Sequence, residues 1–148
     1  MKKSLLVLLF LGMFALETIA QQEFKIITVV ESIVPMGLGR SRIIDSQTQT
    51  NYEEFTTERT DGRRSNQREI RRSDIKVDEL EETKLLNFFS ATGINFQNIA
   101  SNDAVIASKV NTMVADGWKL TFVTSGVESD AGVDDGQGIF ITRMFFSR

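Results

Sequence analysis

The chain has 148 residues, a formal charge of −3, 41% hydrophobic and 25% charged residues, and neither Cys nor His. This is one domain's worth of ordinary globular composition. It excludes a Ser-His-Asp triad, a thiol nucleophile, imidazole or thiolate metal sites, disulfides and a lipidated Cys, leaving carboxylates, Arg, Lys, hydroxyls and backbone for any chemistry.

Residues 1–20, MKKSLLVLLFLGMFALETIA, have the three parts of a cleavable signal peptide. Lys2 and Lys3 make the positive start, and Leu5 to Leu16 is an apolar run short of the ~20 residues a membrane span needs. Thr18 and Ala20 supply small residues before the cleavage point. The expectation is a bacterial protein exported to the periplasm or secreted, beginning near Gln21 and without a membrane anchor after cleavage. A Cys-free chain has no need of an oxidising compartment. Residues 21–148 then read as one small α+β domain.

Phe24 to Val34 (FKIITVVESIV) is a β-branched strand, apolar enough in both alternating sets to be expected buried on both faces. Pro35 ends it, and Met36-Gly37-Leu38-Gly39 is a turn. Arg40 to Asp45 fits a short second strand. Residues 46–77 form a polar, Arg-rich insertion, in which Asp61-Gly62 suggests a hairpin turn between Glu54–Thr60 and Arg63–Ile70; a loop is the alternative.

Asp78 with Glu81 resembles a helix N-cap box, so a helix is expected from Glu79 to about Ala91. Leu85, Phe88 and Phe89 would share its buried face, and Gly93 would stop it. A second helix, capped by Ser101 or Asn102, carries the stripe Ile106, Val110, Met113, Val114 and ends at Gly117. Trp118 to Ser125 is a strand with Trp118, Leu120 and Phe122 placed on one face. A Gly- and Asp-rich loop over 126–138 leads to the last strand, Ile139 to Phe146. Together these elements predict an α+β fold, a small antiparallel sheet with two helices packed on one face as a two-layer sandwich.

The opening Phe24-Lys25-Ile26-Ile27, the junction Asp116-Gly117-Trp118-Lys119-Leu120 and the closing Ile139-Phe140-Ile141-Thr142-Arg143 resemble the bacterial family called domain of unknown function 4177. The likeness covers the first strand, the second helix and the last two strands. Residues 36–100 stand as an insertion, and Lys119 takes the place of an acidic residue. The resemblance implies a fold and no activity. In physical terms, Gly117 lets the chain leave the helix with φ > 0, and Trp118 can close the helix–sheet seam.

Six Arg fall within residues 59–72. Of these Arg63, Arg64, Arg71 and Arg72, together with Arg40 and Arg42 after the Gly37-Leu38-Gly39 turn, are the candidate ligand-binding residues. Forked guanidinium donors suit phosphates and sulfates. No aromatic lies between the Arg residues for base stacking, and the net charge is negative, so nucleic acid is not expected. Glu128, Asp130, Asp134 and Asp135 offer oxygen ligands without Ca²⁺-loop spacing, and no metal or cofactor is expected. The carboxylate pairs Glu53/Glu54 and Glu81/Glu82 give no distinct catalytic constellation. The reading is an exported, non-enzymatic binding or protein-interaction module, its partner another protein or itself. The alternatives are a polyanion or small-ligand binder using the Arg residues and, behind it, a carboxylate-dependent hydrolase.

Overall fold

A computed structural model describes residues 22–35, 40–90, 92–129 and 138–148. Residues 1–20, expected to be a signal peptide, the glycines 37 and 39, and the acidic residues 130, 134 and 135 lie outside the described residues. Strand β1 (Phe24–Ser32) sits at the centre of a five-stranded sheet with β2 (Arg42–Ser46), β5 (Leu80–Lys84), β8 (Lys119–Glu128) and β9 (Ile139–Ser147). The order is β5-β2-β1-β9-β8, and every neighbouring pair is antiparallel. Two small ribbons, β3 (Arg59–Thr60) with β4 (Arg64–Ser65) and β6 (Phe89–Ser90) with β7 (Gly93–Ile94), stand apart from it. Helix α1 (Phe96–Ala115) lies over one face.

That face carries the core. Ile27 and Val29 of β1, Ile43 of β2, Met144 and Phe146 of β9, Leu85 and the helix residue Met113 are buried together, with Ile106, Val110 and Trp118 packed against them. The parity of β1 settles which side is which. Ile27 and Val29 are enclosed, whereas Phe24 and Ile26 on the other side are 62% and 46% exposed. On that second face only Ser32, at the far end, is buried, so the first strand is enclosed mainly on the helix side and lacks the two-sided burial its apolar content predicts. Nothing among the described helices covers the second face.

The two-helix sandwich is also corrected: among the described residues there is one α-helix. Residues expected to form the first helix, Glu79 to Ala91, instead supply β5 and β6. Strand β2 has β1 on one side only and would leave a row of backbone donors and acceptors unpaired on the other. Leu80 to Lys84 fills that row in register from Ser46↔Leu80 to Arg42↔Lys84. The helix-like spacing of Leu85, Phe88 and Phe89 is a local pattern that this pairing overrides. Leu85 is buried, but as the residue after a strand, with its N–H donated to the Ser41 carbonyl at 3.0 Å.

Helix α1 begins earlier than the sequence suggests. Asn95 is the N-cap, its side chain accepting the Asn98 N–H at 3.2 Å. Asn102, expected near the cap, lies within the helix and is buried. It completes the inward row Asn102, Ile106, Val110, Met113, while Val114 points outward at 54% exposure. The helix ends in a Schellman motif: Gly117 at φ +87° donates to the Val114 carbonyl and Trp118 to the Met113 carbonyl. In the small hairpin, Asp61 and Gly62 both have positive φ, which is what a tight turn matched to strand twist requires.

Candidate interaction surface

The charged groups nearest the core are structural ties. Asp45 shares the inward parity of Ile43, and its nearly enclosed carboxylate meets Lys25 Nζ at 2.9 Å and Lys109 Nζ at 2.7 Å. This joins β1, β2 and α1. Burial pushes the Asp45 carboxyl up, but the two ammonium groups outweigh it and hold the group below the ordinary carboxylate range. Asn102 does similar work with neutral atoms. Its Oδ1 accepts the Leu86 N–H at 2.8 Å, while its Nδ2 donates to the Leu86 carbonyl at 2.8 Å and to Glu31 Oε1 at 2.9 Å. Burial raises the Glu31 carboxyl, the Asn102 hydrogen bond partly offsets this, and the Asp103 charge adds to the rise. Neither cluster was legible in the sequence. A Lys at an inward position of β1, an Asp at an inward position of β2 and an Asn in the apolar row of the helix were the available signals.

The six candidate Arg residues are not gathered into one site. Arg42 lies in β2 and pairs with Glu82 across the strands at 2.6 Å. Arg40 precedes that strand and is half-buried. Arg63 and Arg64 occupy the exposed ribbon, and Arg71 and Arg72 a later exposed turn. A cleft of about 510 Å³ lies at the end of β1 and β2, walled by Phe24, Lys25, Gln47, Thr50 and Trp118, and none of the six Arg lines it. Trp118 is held between the core and Arg148, whose guanidinium lies 4.5 Å from the ring centroid and pairs with Glu23 at 2.5 Å. Glu81 and Glu82 fall on opposite faces of β5, as successive strand residues must, so they cannot share a substrate. Among the described residues no group of three or more carboxylates converges as a metal site.

The outer edge of β8 is different. Nine of its ten residues pair with β9 on one side, Thr121 standing in a bulge, and among the described residues no strand pairs with the other. All ten are exposed. A bulge lies between Leu120 and Phe122, so Leu120 pairs with Phe146 and Phe122 with Phe145. Leu120 thus shares the helix-side face and Phe122 the open face, where its ring sits 5.8 Å from that of Phe145. The single-face placement of Trp118, Leu120 and Phe122 expected from alternation fails at this inserted residue. Phe122 and Val127 are both 60% exposed, and charges occur only at the ends, Lys119 and Glu128. Unpaired backbone donors and acceptors beside apolar side chains are what an incoming strand recognises.

No family model matches the chain, no curated protein matches it and no solved structure matches it. The likeness to domain of unknown function 4177 therefore rests on the strand and junction residues quoted above.

Proposed function

We propose that this chain is an exported, non-enzymatic module that binds another polypeptide along the outer edge of β8. The observation that supports it is the ten-residue edge strand, exposed throughout and charged only at its two ends. Long exposed edges are normally shortened, charged or covered because they template further pairing. Keeping one open on a folded domain serves strand addition, in which main-chain hydrogen bonds give affinity and alternate side chains give specificity. Export rests on the N-terminal residues 1–20. A photo-crosslinking residue placed at Thr124, in the full chain expressed in an exporting bacterial host, is expected to capture a polypeptide. The same residue placed at Arg72 is the control and is expected to capture none. Failure of the Thr124 probe to form any protein adduct would overturn the reading.

A further inference from the structure

The self-complementary sequence of β8 identifies the incoming strand. We infer that it is β8 of a second copy, joined antiparallel about a two-fold axis through Thr124 to make one continuous ten-stranded sheet. This rests on the strand-addition reading above and adds the identity of the partner.

Antiparallel pairing about an axis perpendicular to a sheet sets each residue against one of the same face. The β8–β9 register fixes those faces. Leu120, Val123, Ser125 and Val127 pair with Phe146, Met144, Thr142 and Phe140 on the helix side, whereas Phe122, Thr124, Gly126 and Glu128 pair with Phe145, Arg143, Ile141 and Ile139 on the open side. With Thr124 on the axis, Val123 meets Ser125 of the second copy and Phe122 meets Gly126. The bulge absorbs one residue, so Leu120 then meets Val127 and Lys119 meets Glu128. Every pair keeps to one face. Apolar Leu120 and Val127 come together, and the exposed Phe122 ring lies over a glycine with open space above its backbone. The only two charges of the strand come together as two symmetry-related opposite pairs. A register shifted by two residues would set Glu128 against Phe122 in one direction, or Lys119 against Gly126 in the other, and lose the opposite pairs.

The test is sedimentation velocity on the protein obtained from the full chain, over a range of micromolar concentrations. Wild type is expected to form a dimer. Lys119→Glu and Glu128→Lys each replace two attractive cross-strand pairs by two repulsive ones, and each is expected to weaken the dimer by roughly tenfold or more. Mixing the two variants in equal amounts is expected to restore dimer, because every end pair of the mixed dimer is again opposite in sign. Thr124→Lys sets two like charges face to face on the axis beside Arg143 and is expected to be monomeric. Thr124 is exposed, so the variant's far-UV circular dichroism should match wild type, and its melting temperature should match that of wild type diluted to where the dimer dissociates. A wild type that stays monomeric, or a dimer indifferent to all three substitutions, would overturn self-pairing. A monomeric wild type whose Thr124 crosslinks to a different protein sinks self-pairing and leaves strand addition standing. A monomer with no adduct at Thr124 sinks both.

Discussion

Strands β5 and β8 close the same sheet at opposite ends, and both are exposed along their length. They differ in what they show the solvent. β5 has five residues, Leu80-Glu81-Glu82-Thr83-Lys84, and three are charged. Glu82 is tied to Arg42 at 2.6 Å, Glu81 lies 3.9 Å from Lys109, and the chain that follows is fixed to the helix by Asn102. β8 is twice as long and keeps its charges at the ends. Exposure alone therefore does not mark a docking edge. Length, apolar side chains and the placement of charge separate a sealed edge from an open one.

The most damaging change strikes the strand between the central β1 and the open edge. Phe146 of β9 is fully buried, and Phe146→Ala is expected to cost about 3–5 kcal/mol in urea unfolding, loosening the packing that supports both edges. Asn102→Ala separates the two edges. It leaves Leu86 N–H and C=O unpaired near the core and is expected to cost about 2–3 kcal/mol. Hydrogen exchange should then rise over residues 80–87 and stay as in wild type over 119–128. Equal acceleration at both edges would show that they are not independent.

Asp45→Asn leaves Lys25 and Lys109 without their shared partner, with an expected loss of about 2 kcal/mol at neutral pH. The folded-state pKa of Asp45 is depressed, so its contribution is present above the ordinary carboxylate range and is lost as pH falls through the depressed value. The wild-type and variant melting temperatures should converge in acid. Glu31→Gln is the smallest effect and has the opposite sign. Glu31 is raised by burial, so its ionised form opposes folding at neutral pH, and this opposition fades as pH falls through the raised value. Gln keeps an oxygen for Asn102, and the expected gain is roughly a few tenths of a kcal/mol at neutral pH, limited by the solvent around a half-buried group, vanishing in acid.

Much of the strand content was legible in the sequence because it is local. The β-branched run at 24–34, the short segment at 40–45, the aromatic strand after Gly117 and the run from Ile139 all became strands of the main sheet. The Asp61-Gly62 turn and the Gly117 helix stop were legible because positive φ selects few residues. Residues 79–91 were not legible. Their apolar spacing fits a helix, and only the unpaired side of β2 decides otherwise. The Lys25–Asp45–Lys109 cluster was hidden for a related reason: its members are distant in sequence and meet only when strand parity and helix phase are both fixed. The bulge at Leu120/Phe122 was equally silent, since one inserted residue changes the facing of Phe122 without any marker in composition.

By itself, the sequence determined the excluded chemistries, the strand-forming runs, the helix around Ile106 to Met113 and its Gly117 stop, because each depends on residue type or on spacing within one segment. The tertiary structure alone decided that β5 is a strand, that Asp45 and Asn102 act as ties, and that, among the described residues, one face of the sheet is left open and β8 ends it. These follow from which backbone groups find partners across the chain, and that balance is struck only when distant segments pair.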